Sequence, residues 1–243
     1  MTWLDRFGKD DSENNKKRGG KRKAKPRKGH RRSVQTDTQA RAINNPYGGG
    51  IFANAAEGLE QRKLLSVNSV FTAGTGTLDI TFQGDEATDN VSIDVNGSNE
   101  ILVDGVTVDN GGSPLLIADV DVLNVIGDAG GNTENISFDT GAFDSNVAIS
   151  VDANVENATI SAALNVASVS INSNTGVSIS ANVTTSGDQS YASGITLAAN
   201  AALTANNLTV DAIDGGFDLT LDATGTITFN GAIGGGANLA SLD

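Results

Sequence analysis

From Val67 onward the chain consists of short alternations of apolar and polar residues, separated by Gly, Asn or Asp. TLDITF at 77–82, NVSIDV at 90–95, EILVDGVTV at 100–108, ADVDVLNVI at 118–126 and VAISV at 147–151 place an apolar side chain at every second position, the period of a half-buried strand. The same alternation continues in ATISA at 158–162, ASVSI at 167–171, GVSIS at 176–180, GITLA at 194–198, NLTVD at 207–211, DLTLD at 218–222 and TITFN at 226–230. No helical period intervenes, so the body is predicted to be all-β.

Strands at this spacing suit a sandwich, a barrel or a solenoid. Repetition favours the solenoid. Ile149, Ile160, Ile171 and Ile179 are spaced 11, 11 and 8 apart, and Leu208, Leu219 and Ile227 are spaced 11 and 8, which predicts internal repeats with coils of irregular length. The inward positions are mostly medium aliphatics with a few aromatics (Phe71, Phe82, Phe138, Phe143, Tyr191, Phe217 and Phe229), and the outward ones are Ser, Thr, Asn and Asp. Like side chains stacked in this way form ladders. The expected fold is a right-handed parallel β-helix or β-solenoid, with a β-sandwich as the alternative, divided into an acidic β-repeat region at 67–145 and solenoid repeats at 146–243.

Upstream the pattern changes. Residues 51–66, IFANAAEGLEQRKLLS, set Ile51, Ala55, Leu59, Leu64 and Leu65 near one face, which predicts a short amphipathic helix. Residues 1–50 include KKRGGKRKAKPRKGHRR from Lys16 to Arg32, a basic run too poor in apolar side chains to offset chain entropy. It reads as a disordered targeting-type segment. The residues that follow it are polar, so the apolar core of a standard secretory signal is absent.

Charge sharpens this division. All 16 Lys and Arg residues lie between Arg6 and Lys63, and the single His is His30. Of the 29 carboxylates, 22 lie from Val67 onward, so a basic head precedes a body with no cationic side chain. With no Cys in the chain, disulfides and thiolate chemistry are excluded, and without His the body has no His-based triad or His metal site. Lyase chemistry wants a Lys, Arg or His base. Enzyme chemistry is thereby reduced to a paired-carboxylate glycosidase, for which Asp119 and Asp121, on one predicted strand face, and Asp79 are the available acids. The alternation of outward Asp is equally what a solvated strand shows, and no catalytic residue is assigned.

Residues 181–242 resemble the β-strand repeats of filamentous-haemagglutinin-like bacterial adhesins: VTTSGDQSY at 183–191, ITLAANAALT at 195–204, LTLDATGTITFNGAIGG at 219–235 and LASL at 239–242 occur in the family's order. The segment Leu59, Glu60, Gln61, Arg62, Lys63, Leu64, Leu65, Ser66 is similar to the LEPR-X-LL motif near the N-terminus of giant bacterial surface proteins. It departs from the motif at Gln61, where the family has Pro. These resemblances imply the N-terminal part of a secreted or cell-surface, outer-membrane-associated repeat adhesin. The partners implied are a surface or matrix polysaccharide or protein, and an export machinery that reads the N-terminal segment through Leu59, Glu60, Arg62, Leu64 and Leu65. In that family the repeats run on past LASL, so an open C-terminal end able to self-associate is expected.

Gly127 to Ile136, GDAGGNTENI, has a looser likeness to calcium nonapeptide repeats. Asp128, Asn132 and Glu134 are the candidate calcium ligands, through carboxylate and amide oxygens. An Asn/Gly-rich turn that binds nothing accounts for the same letters. Two other functions stand against the adhesin: a polysaccharide-binding or carboxylate-dependent polysaccharide-degrading β-helix, and an anionic-surface or nucleic-acid binder acting through residues 16–32. The last lacks interleaved aromatics, and the acidic body opposes it electrostatically, so no nucleic acid is expected as a partner.

Overall fold

The computed structural model describes residues 67–84 and 87–243. The basic segment at 1–50, the helix expected at 51–66 and the motif at 59–66 lie outside the described residues. Within the described body the chain is all-β apart from one 3-10 turn, Ile117–Asp119, and it winds as a β-solenoid.

Strands recur on up to three sides of each coil. The first sheet stacks Val67–Thr72, Thr77–Phe82, Val122–Ile126, Ala148–Val151, Ser168–Ile171, Gln189–Tyr191, Leu208–Val210 and Ile227–Phe229. The second stacks Ile213–Asp214, Ile195–Leu197, Gly176–Ile179, Asn157–Ile160, Thr133–Phe138 and Thr88–Val95, followed by Ile101–Val103 and Val106–Thr107. A third sheet, Leu164–Val166, Val183–Thr185, Ala201–Ala205, Asp218–Ala223 and Ser241–Leu242, joins from Leu164 onward. The first two sheets run unbroken through residue 145, so both predicted regions share one stack. Parallel pairing one coil away is what separates this fold from the sandwich.

The register gives each ladder its members. In the first sheet Leu78, Leu123, Ile149, Val169, Gln189, Leu208 and Ile227 stand above one another, and beside them Ile80, Val125, Val151, Ile171, Tyr191, Val210 and Phe229. The second sheet stacks Val91, Ile136, Ala158, Val177, Ile195 and Ile213. Nearly all of these are buried, and fully burying a Val, Leu or Ile contributes about 1.5–3 kcal/mol against the entropy of ordering the chain.

Coil length is irregular, as expected: Leu78 to Leu123 spans 45 positions, Leu123 to Ile149 spans 26, and from Ile149 onward each coil takes 19 or 20. Leu208 pairs with Ile227, 19 positions on, and Ile160 with Ile179, also 19 on. The intervals of 11 and 8 are steps between sides, from Leu208 in the first sheet to Leu219 in the third and on to Ile227 in the first. They divide a coil between its sides; the differences in coil length lie toward the N-terminal end, in the 45- and 26-residue coils.

Three further expectations change. Residues 100–108 form two antiparallel strands, Ile101–Val103 and Val106–Thr107, because Asp104 and Gly105 both take positive φ, 52° and 75°, the signature of a type I′ hairpin turn. Residues 118–126 open on the 3-10 turn and become a strand only at Val122. Asp119 and Asp121 therefore do not share a strand face, which removes the basis on which the two acids were paired. Of the aromatics expected inside, Phe217 and Phe229 are exposed, whereas Phe82, Phe138, Phe143 and Tyr191 are buried.

The N-terminal end of the stack is closed by antiparallel strands. Val67–Thr72 folds back over Thr77–Phe82, and Ile101–Val103 runs antiparallel to Thr88–Val95. Both cover edges that would otherwise present unpaired N–H and C=O groups.

Candidate functional site

Two places gather chemistry: a corner between the first and second sheets, and the outer face of the second sheet. At the corner, residues 127–132 link Val122–Ile126 to Thr133–Phe138. The turn is tight. A Cβ on Gly127 would lie 2.5 Å from the main-chain carbon of Asn154 in the next coil, so only Gly fits. Corner side chains satisfy main-chain donors from coil to coil. The Gly127 N–H donates to Asp152 Oδ1 at 3.1 Å, the Asn207 N–H to Asp188 Oδ1 at 3.0 Å, and the Thr226 N–H to Asn207 Oδ1 at 3.0 Å. This is the solenoid's form of the rule that a buried or turning backbone must find partners.

The three candidate ligands meet at this corner but face different tasks. The Asp128 carboxylate accepts the Gly130 N–H at 3.0 Å, an Asx-type turn. The Asn132 side-chain amide donates to the carbonyl of Gly84, one coil away, at 3.0 Å. Glu134 is fully buried, and its two carboxylate oxygens accept the Asp128 N–H at 2.9 and 3.0 Å. Burial pushes the Glu134 carboxyl up to about 7; the Asp128 N–H pulls it down, and the charges of Asp128, Asp89 and Asp152 push it further up.

Asp89, which sequence reasoning passed over, belongs here. It pairs with Glu134 in the parallel register, is 2% exposed, and neither of its carboxylate oxygens has a hydrogen-bond partner among the described residues. The signal was in the sequence. Asp89 and Glu134 each occupy the first inward position of a strand whose other inward residues are Val91, Ile93 and Val95, or Ile136 and Phe138, so each is a carboxylate in an apolar phase. Among the described residues no three acidic or His side chains converge closely enough to hold a metal by themselves.

The outer face of the second sheet is polar from Thr88–Val95 to Ile195–Leu197. Asn135 donates to Asn90 at 2.9 Å and Asn157 to Asn135 at 2.7 Å, a ladder of amides across three coils. Beside it the register aligns Ser92, Ser137, Thr159, Ser178 and Thr196. Two contiguous hollows of about 260 and 460 Å³ lie along this stripe and share Asn90, Asn135 and Thr159. Asp104, on the hairpin turn, borders the first. Amides and hydroxyls dominate the outward lining, and no ring stands in it. Asp79, the remaining acid considered for catalysis, lies on the first sheet and accepts from the Asn124 amide at 2.8 Å.

Compared with known proteins, the chain finds no match among family models, curated proteins or solved structures.

Proposed function

We propose that this chain is an extracellular, cell-surface repeat protein whose role is structural and adhesive, and that the polar face of its second sheet takes an extended polysaccharide lying along the stack. The observation that supports the reading is the unbroken alignment of Ser92, Ser137, Thr159, Ser178 and Thr196 beside the Asn90, Asn135 and Asn157 ladder. Rungs of a sheet repeat at about 4.8 Å, close to the rise of one sugar ring along an extended glycan. Donors and acceptors on the protein therefore recur in step with those of the ligand. Each contact is weak because hydroxyl and amide exchange water for sugar, so affinity grows with the number of rungs engaged.

Affinity electrophoresis of the full chain in gels containing neutral or acidic polysaccharides tests this. Retardation by at least one polysaccharide, reduced more than about tenfold in Kd by the double change Ser137→Arg and Thr159→Arg, is the expected result. Free migration in every gel, or equal retardation of the double variant, would refute the reading.

A further inference from the structure

We propose that Asp89 and Glu134 form an interior cation site that takes one calcium-type divalent ion between the coils carrying Thr88–Val95 and Thr133–Phe138. The proposal stands apart from the adhesive face, which lies on the other side of the same strands. It also differs from the turn-borne set Asp128, Asn132 and Glu134, because its centre is Asp89.

Burial and charge carry it. Asp89 is 2% exposed and Glu134 fully buried, on paired inward positions. A buried carboxylate left without a donor costs several kcal/mol, and Asp89 has no hydrogen-bond partner for either oxygen among the described residues. No side chain of the body can supply the missing positive charge, since the chain holds no Lys or Arg after Lys63 and no His after His30. The neighbouring carboxylates make matters worse for a bare pair: Asp128 and Asp152 hold the turn through the N–H groups of Gly130, Gly127 and Asn154, and their charge falls on the same corner. A proton shared by Asp89 and Glu134 would neutralise one charge of two and leave the second buried.

A divalent ion neutralises both. Hard oxygen donors select calcium or magnesium. Magnesium keeps several waters in a strict octahedron, which an interior this closed does not accommodate, whereas calcium completes irregular shells with main-chain oxygens. Two carboxylates with backbone oxygens give a modest charge count, so affinity belongs to the weak extracellular range of about 0.1–1 mM.

The test uses the full chain, calcium chloride, magnesium chloride and sodium chloride at equal ionic strength, with a chelator series as reference. Equilibrium dialysis is expected to show one calcium per chain, with a calcium-specific rise in Tm that neither magnesium nor sodium reproduces. Asp89→Asn is expected to lose calcium binding by more than about tenfold and to melt higher than the wild type in chelator, because the neutral amide removes a buried charge. Asn132→Ala should keep the calcium response. If Asp89→Asn does not fold, Glu134→Gln is read in the same way. Identical melting of the wild type in calcium and sodium overturns the site whatever the variants do, and so does calcium binding that survives at Asp89→Asn but vanishes at Asn132→Ala.

Discussion

At the scale of single residues, the most instructive position is Gln189, which interrupts a column otherwise made of Leu, Ile and Val. Its side chain is 1% exposed, and every bond it needs is made: Nε2 donates to the carbonyls of Val183 at 3.0 Å and Thr204 at 2.8 Å, and Oε1 accepts the Tyr191 hydroxyl at 3.0 Å. The network ties the first sheet to the third. Tyr191→Phe removes one donor and leaves Oε1 bare, an expected cost of about 1–3 kcal/mol in denaturant titration. Gln189→Leu restores the aliphatic column yet strips two carbonyls and the Tyr191 hydroxyl of a partner at once, so it should cost more than Tyr191→Phe; the reverse order would sink this account of the network. Glu134 gives a pH prediction. Its folded carboxyl, raised to about 7 from 4.5 chiefly by burial and further by the charges of Asp128, Asp89 and Asp152, binds a proton that the unfolded chain releases earlier. In chelator, stability from this group is therefore fully present below about pH 4.5 and lost as pH rises through about 7. The difference in Tm between wild type and Glu134→Gln, measured across that window, should carry this slope. A flat difference would show that Glu134 is not the titrating group.

Among elements, turns separate by what surrounds them. Gly105 has positive φ, but a Cβ there would meet nothing within 4 Å, so Gly105→Ala is expected to cost about 1–2 kcal/mol, from the backbone conformation alone. Gly127 has ordinary φ, and its Cβ would press into the main chain of Asn154 and Val155. Gly127→Ala must shift a whole coil, and its loss in Tm should exceed that of Gly105→Ala. Legibility follows the same physics. Strands with two or more large apolar residues in phase between polar ones, such as Thr77–Phe82 and Ala148–Val151, are revealed by period two. Three-residue strands such as Ile195–Leu197 and Leu208–Val210 remain legible because two large aliphatics fall in phase, whereas Val183–Thr185 has one aliphatic in its inward phase and Ala201–Ala205 fills that phase mostly with alanine, so most of the third sheet did not stand out in advance. The hairpin was readable in principle from Asp104-Gly105, but the apolar run around it disguised the turn. At the corner, Glu134 stood out through a turn motif. Asp89 required knowing which phase of its strand faced inward.

For the molecule as a whole, charge is a liability that the solvent regulates. From Val67 on, 22 carboxylates face each other with no cationic side chain among them. Two such charges about 10 Å apart repel by roughly 0.4 kcal/mol in water, and screening at a Debye length of about 8 Å removes much of it. Tm should rise with sodium chloride from low to physiological ionic strength and then level off. A fall over that range would contradict the repulsion account.

The closed N-terminal end has a mechanical consequence. The antiparallel strands Val67–Thr72 and Ile101–Val103 lock the first coils, while beyond them each coil holds on to the rest only through the one before it. Pulled by its two ends, the body should therefore unravel from the C-terminal side like a thread from a spool. The coils from Ile149 to Ile227, of 19 or 20 residues, would each release roughly 65 Å of chain. A force-extension trace is expected to show nearly even steps of that size, then one longer step for the 26 positions from Leu123 to Ile149, followed by one higher rupture as the locked end gives way. A body that yielded in a single event would have its strength spread evenly along the stack.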